Sequence, residues 1–314
     1  MRTYIHYLSL LIATLTIVSC ENELPFSIKD NPPKLVMNAL INADSLTNIV
    51  YLNLTGKEQT SYIQDATLEV RVNGKLTESL RPLPVESDYY RQCHFSMSSK
   101  FIPGDVIRLD ALTDNGQHHA WAEITVPRPP ANIEKIDTLT IPITQNGYTL
   151  KRLRHKITIK DLTDEDNYYR IVMDTRVMQT KLNNDKEIIA TQTWHNYNFI
   201  SREDVVLTDG QPSTGEDADN SMFDTVENMY GVFNDLRFKN SVYTMTVYVP
   251  FELFKGTEPL GPLLSEQADV TVRLLSITEI EYYYLRALNL VDSDSFDETI
   301  NEPIKYPSNV NGGT

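Results

Sequence analysis

The chain has 314 residues, of which 41% are hydrophobic and 23% are charged, so it can bury a sizeable core and is neither collagen-like nor wholly disordered. This length exceeds that of one ordinary β-domain and fits two domains. The formal net charge of −15 predicts no nucleic-acid partner, because binding to phosphates needs a concentrated basic face.

The first 19 residues have the pattern of a bacterial lipoprotein signal peptide. Arg2 supplies a positive charge, and the apolar run from Leu8 to Val18 is too short to span a hydrocarbon layer of ~30 Å. The run ends in Ser19 and Cys20, as a lipobox does, and cleavage between them would leave a diacylglyceryl thioether on the Cys20 thiol. We therefore predict a signal peptide over 1–19 and lipidation at Cys20. The alternative is an ordinary cleaved signal with an incidental cysteine.

The segment after the signal predicts a tether and then a β-domain. Residues 20–34 are polar and contain prolines, which is typical of a linker, here a lipidated one. Period-2 alternation then predicts strands at 35–41, 50–54, 66–72, 75–80, 89–95, 107–111 and 120–126. Asn73-Gly74 predicts a hairpin, because a type I′ turn needs positive φ at both central residues. Short strands at this spacing predict an immunoglobulin-like β-sandwich over 35–127.

A proline-rich segment predicts the boundary to a second β-rich, sandwich-like domain over 131–314. Pro127-Arg128-Pro129-Pro130 cannot lie in a central strand, since proline lacks the N–H group that a sheet needs. Alternation resumes at 155–160, 169–177, 243–249 and 270–274. One helix is predicted near 277–290, with a capping box at Ser276 and Glu279 and an apolar stripe of Ile277, Ile280, Tyr284 and Leu288. The predicted fold class is therefore mainly β with one C-terminal helix.

An acidic segment interrupts the second domain. Residues 203–227 contain eight carboxylates and no lysine or arginine, which predicts a long exposed loop and a candidate surface for partner contact. Asp217-x-Asp219 begins like an EF-hand, but Met222 and Asn228 occupy the positions where that motif needs glycine and glutamate. We predict no metal site, and a nonstandard calcium site in this loop stays open.

No motif in the sequence predicts catalysis or a cofactor. The histidines are isolated or, at His118 and His119, adjacent on a strand, and HExxH, GxSxG, GxxxxGK[ST] and a Rossmann GxGxxG are absent from the sequence. Carboxylates are too plentiful in an acidic chain for spacing to identify a glycosidase pair. Once Cys20 is acylated, Cys93 is the one remaining thiol, and its strand-like context predicts a buried, inert group.

Aromatic residues are the best sequence candidates for ligand or partner contact. Trp121 falls on the polar face of its predicted strand, and Trp194, Tyr197 and Phe199 lie in one stretch rich in aromatic and amide side chains. Such side chains suit contact with a protein or glycan surface. The alternative is that both tryptophans pack at a seam between the domains.

Several segments resemble the lipoprotein family known as domain of unknown function 4249, which is found in Bacteroidetes. The resemblance covers essentially the whole chain after Cys20 and is carried by residues 31–40, 63–66, 72–74, 125–127, 276–290, 302–304 and 308–313. Family members usually continue past the closing Gly-Gly with one more strand. This chain stops at Thr314, so we expect the final strand to be lacking or the chain to be incompletely represented.

The resemblance implies a cellular location and a partner, and it supplies no active site. Members look like outer-membrane lipoproteins encoded beside TonB-dependent transporters, and only Cys20 carries over with a defined role. We therefore expect a non-enzymatic protein anchored by lipid to the outer membrane, on the cell surface or the periplasmic face, that assists a TonB-dependent transporter. The alternatives are a hydrolase of the same locus and a structural or adhesion module of the envelope.

Overall fold

The computed structural model describes residues 33–312 apart from 56–62, 64, 85–92, 114–115, 131, 146–147, 184, 213–226, 251–263 and 293–305. The signal segment, Cys20 and most of the predicted tether lie outside the described residues. Residues Lys34–Thr314 belong to one compact unit. The domain boundary near residue 130 stays a prediction.

The strands that precede residue 130 form two antiparallel sheets with a common core. The described strands are β1 (Leu35–Asn38), β2 (Asn48–Leu54), β3 (Ala66–Val72), β4 (Lys75–Leu80), β5 (Cys93–Met97), β6 (Val106–Thr113) and β7 (His119–Thr125). One sheet has the order β1–β2–β5, and the other contains β7–β6–β3–β4. Alternate side chains of both sheets, such as Leu52, Phe95, Leu68 and Leu109, are buried in a single cluster. The arrangement is sandwich-like, and its immunoglobulin-like topology stays a prediction.

The hairpin predicted at Asn73-Gly74 is confirmed. β3 and β4 pair antiparallel on either side of it, and φ is 51° at Asn73 and 78° at Gly74. Both residues therefore lie in the left-handed region, as a type I′ turn requires. The Asn73 side chain also accepts a hydrogen bond of 2.9 Å from the Val106 amide, which ties the turn to β6.

The strands that follow residue 130 form two further sheets around a second core. They are β8 (Lys135–Gln145), β9 (Tyr148–Lys160), β10 (Tyr168–Leu182), β11 (Ile188–Asn196), β12 (Val232–Asn234), β13 (Val242–Pro250) and β14 (Leu264–Ser276). One sheet has the order β13–β9–β8, and in the other β10 pairs with β11, β12 and β14. Side chains of β9, β10 and β13 meet in a buried cluster that includes Ile157, Ile171 and Val247. A short strand near the C-terminus, β15 (Asn311–Gly312), pairs with β7 of the first half.

The helix predicted near 277–290 is confirmed as α1 (Glu279–Val291), but the predicted capping box is wrong. Thr278 is the N-cap and accepts a hydrogen bond from the Glu281 amide, whereas Ser276 is the last residue of β14. The buried face of α1 is formed by Tyr282, Leu285 and Asn289, while Tyr284 and Leu288 of the predicted stripe lie half-buried beside it. Within the described residues, no helix has both the length and the apolar character needed to cross a bilayer.

An amide network attaches α1 to the segment around β12. Asn289 donates a hydrogen bond of 3.0 Å to Asn228 Oδ1 and accepts one of 3.1 Å from the Tyr230 amide. Asn228 in turn donates to the carbonyls of Leu207 and Val232, at 3.0 and 2.8 Å. These bonds bring α1, β12 and the segment 201–212 together, and the cleft described below lies where they meet.

Candidate functional site

The structure places the four predicted aromatic contact residues in different environments. Trp121 lies half-buried on β7, where the Arg108 guanidinium is 4.1 Å from its ring centroid. Trp194 lies half-buried on β11 in another sheet, so the two tryptophans do not form one surface. Tyr197 is 54% exposed and stacks against the His195 ring, with 6.2 Å between the ring centroids. Phe199 is buried in the second core, which removes its ring from the exposed surface.

The first part of the acidic segment is packed rather than exposed, which corrects the loop prediction there. Asp204 is 3% exposed, and its carboxylate accepts hydrogen bonds of 3.0 Å from the Val206 and Leu207 amides. It also accepts one of 2.8 Å from the Thr246 amide of β13, and Val206 and Leu207 join the second core. The apolar run at 205–207 was the sequence signal for this burial. Residues 213–226, with the EF-hand-like Asp217-x-Asp219, lie outside the described residues.

An exposed histidine and a buried carboxylate meet on the sheet that contains β10. His195 Nδ1 lies 2.7 Å from Asp174 Oδ1, and Arg273 donates a bond of 3.3 Å to the other oxygen of the same carboxylate. The sequence separates these three residues, and cross-strand pairing of β10 with β11 and β14 brings them together. None of the three lines the cleft described next. Among the described residues, no group of three or more histidine, cysteine or acidic side chains is placed to hold a metal ion.

A cleft of about 500 Å³ lies between α1, the segment 201–212 and the turn that follows β12. Its volume falls within the range of small-molecule sites. Its lining combines cationic, hydrogen-bonding and apolar groups, namely Val206, Asp209, Asn234, Leu236, Arg237, Tyr282, Tyr283 and Arg286.

Two arginines of the cleft converge on one aspartate. Arg286 Nη2 lies 2.5 Å from Asp209 Oδ2, and Arg237 Nη2 donates a hydrogen bond of 2.8 Å to the Asp209 backbone carbonyl. Burial acts to lower the pKa of Arg286, but the bonds to Asp209 and Tyr282 outweigh it and raise that pKa above its ordinary value. Among the described residues, two guanidinium cations therefore meet at a residue with one carboxylate, and only Arg286 pairs with that carboxylate.

The backbone of the segment 201–212 is shaped to receive these arginines. Asp204 caps the start of a tight turn, and Asp209 and Gly210 end it with φ of 54° and 89°. A Cβ atom at Gly210 would lie 2.0 Å from Arg237 Nη2, so a side chain there would displace the guanidinium from its present position. The Gly210 amide donates to the Val205 carbonyl at 2.7 Å, which closes the turn.

Two tyrosines and a leucine form another part of the cleft wall. The Tyr282 hydroxyl accepts hydrogen bonds from Arg286 at 2.8 Å and from the side-chain amide of Asn234 at 3.2 Å, and the Tyr282 ring is buried. Tyr283 packs edge-on against that ring, with 5.1 Å between centroids, and is 46% exposed. Leu236 is 74% exposed at the rim. The wall thus offers an exposed apolar surface beside fixed cations.

A family model described as a domain of unknown function (DUF4249) matches residues 21–314. The match covers nearly all of the chain that follows the predicted signal peptide and confirms the family resemblance found in the sequence. Among curated proteins, none matches the chain.

Proposed function

The chain belongs to the DUF4249 family, and we propose that it is a non-enzymatic binding lipoprotein of the cell envelope. In this proposal, acyl chains on Cys20 anchor it to the outer membrane, and it assists a TonB-dependent transporter in capturing or admitting a nutrient. The anchor rests on the signal pattern at 1–20 and on the principle that two or three acyl chains hold a protein stably on a bilayer.

The cleft is the observation that carries the binding role. Arg237, Arg286, Asn234 and two tyrosines converge on it, and these are the side chains that recognise ligands through hydrogen bonds, charge and ring contact. The hydrolase alternative is less well supported, because the pair of His195 and Asp174 lies outside the cleft. A structural or adhesion module differs in its partners, so co-purification separates it from the proposal.

Changing Cys20 to alanine should abolish acylation and leave the protein as an unprocessed or a soluble species. No other thiol is available to replace it, because Cys93 is buried, and burial together with the charge of Asp65 raises the pKa of its thiol to about 11. The measurement is detergent phase partitioning of the processed protein, with metabolic labelling by a fatty acid. Cys93→Ala is the matched control and should partition like the unchanged chain. Retention in the detergent phase of a Cys20→Ala chain that lacks residues 1–19 would contradict the anchor.

Co-purification tests the partner. The tagged full chain, extracted from membranes in mild detergent, should enrich one TonB-dependent outer-membrane transporter that mass spectrometry identifies by its plug and barrel sequence. Enrichment of envelope structural proteins without a transporter would favour the adhesion module. Hydrolysis of peptides or glycans by the purified chain, lost on changing His195 to glutamine, would favour the hydrolase.

A further inference from the structure

We propose that the cleft at α1 binds a small organic ligand through a carboxylate group of the ligand, and that Arg237 binds this carboxylate. This inference rests on the proposed binding function and adds the chemical class of the ligand.

Among the described residues, Arg237 is the cleft cation that has no carboxylate partner. Its guanidinium donates to the neutral Asp209 carbonyl, while the Asp209 carboxylate pairs with Arg286. Within the described part of the chain, Arg237 forms no ion pair, and its side chain is exposed at the cleft. A planar guanidinium can donate two parallel hydrogen bonds to a carboxylate, so a ligand with this group would complete the arrangement.

The second guanidinium is held in place before any ligand arrives. Arg286 donates to the Tyr282 hydroxyl at 2.8 Å and lies over the Tyr282 ring, 5.5 Å from its centroid. Both arginines thus contact Asp209, Arg237 at its backbone carbonyl and Arg286 at its carboxylate. A ligand carboxylate would meet a preorganised positive wall, which reduces the entropy lost on binding.

The apolar side of the cleft indicates what else the ligand carries. Tyr283 and Leu236 are 46% and 74% exposed beside the two arginines, so a ligand of matching shape would cover apolar surface there. The net charge of −15 on the whole chain repels a highly charged anion at long range. These two features favour one carboxylate on a ring or an apolar body, as in a peptide C-terminus or a uronic acid.

Titration calorimetry on the full chain in detergent tests this inference with paired probes. The tripeptide Gly-Gly-Phe is compared with its C-terminal amide, and galacturonate with its methyl ester, and inorganic phosphate is the third anion. We expect one acid to bind at least about tenfold more tightly than its neutral partner, since a charge-assisted hydrogen bond is lost in the neutral form. The pair in which the acid binds more tightly than its neutral partner identifies the ligand as a peptide or as a sugar acid.

Arg237→Gln should weaken binding of the acid that binds the unchanged chain by about tenfold or more. Arg237→Lys keeps the charge but loses the two parallel donors of the guanidinium, so its affinity should lie between those of the unchanged chain and Arg237→Gln. Arg176→Gln is the matched control, because Arg176 is an exposed arginine on β10 outside the cleft, and it should bind unchanged. Thermal melts should coincide for all three variants.

Equal affinity of acid and neutral probes, binding of phosphate alone, unchanged affinity in Arg237→Gln, or no binding of any probe would each overturn the inference. Co-purification of the transporter does not depend on Arg237, so its failure and the failure of this inference are distinguishable.

Discussion

Changing Asp204 to alanine should lower the free energy of unfolding by about 3 kcal/mol or more, because it leaves several buried donors without an acceptor. The carboxylate accepts from the amides of Val206, Leu207 and Thr246 and from the Tyr243 hydroxyl at 3.0 Å. It therefore joins the segment 201–212 to β13 through one side chain. Chemical denaturation followed by circular dichroism measures the loss.

Two further variants separate this role from a general effect of charge. Asp185→Ala removes an exposed carboxylate from the turn before β11 and should change stability by no more than about 0.5 kcal/mol. Asp204→Asn keeps the shape and one acceptor oxygen, so its loss should lie between those of the two alanine variants. A loss in Asp204→Ala no larger than that in Asp185→Ala would contradict the capping role.

Most strands that the sequence predicted have one buried face, and β4, which the hairpin signal predicted, has none. β3 alternates between buried Ala66, Leu68 and Val70 and half-buried polar neighbours, as expected for an antiparallel strand beside a core. β8 and β11 were not predicted, because nearly all of their described side chains are exposed or half-buried and carry no apolar alternation. Backbone pairing with β9 and β10 forms these two strands, and pairing of that kind leaves little trace in the side-chain pattern.

The face of α1 was missed by about one residue for a related reason. Asn289 occupies the centre of the buried face, where its amide links to Asn228 and Tyr230. A hydrophobic pattern counts asparagine as exposed and so moves the predicted stripe towards Tyr284 and Leu288. Buried polar groups that are fully hydrogen-bonded are thus a systematic source of error for periodicity.

The cleft could not be predicted from the sequence. Asp209, Arg237 and Arg286 lie in three separate segments, and only tertiary packing brings their side chains to one place. The local signal was limited to Asp209-Gly210, which reads as a turn, and nothing in the pattern around Arg237 distinguishes it from other surface arginines. The aromatic residues that the sequence analysis proposed for partner contact were chosen by residue type. Residue type does not indicate burial, and Phe199 is in fact buried.

Changing Gly231 to alanine should cost about 3 kcal/mol or more, because the added methyl group collides with backbone in the second core. Its φ is 65°, and a Cβ atom there would lie 2.3 Å from the Ile171 carbonyl oxygen and 3.0 Å from the Phe199 ring. The Ile171 amide donates to the Gly231 carbonyl at 2.8 Å, so this close approach is part of the pairing that holds the chain beside β10. Chemical denaturation gives the loss in stability.

Gly116→Ala supplies the matched control for this effect. Gly116 has a similar φ of 67°, but no atom lies within 4 Å of a Cβ atom placed there. Its variant should therefore lose only the conformational cost of a left-handed residue, about 1–2 kcal/mol. The difference between the two variants measures the close approach to Ile171, and equal losses would contradict it. Because Gly231 directly precedes β12, which carries Asn234 of the cleft, Gly231→Ala should also weaken ligand binding, whereas Gly116→Ala should leave it unchanged.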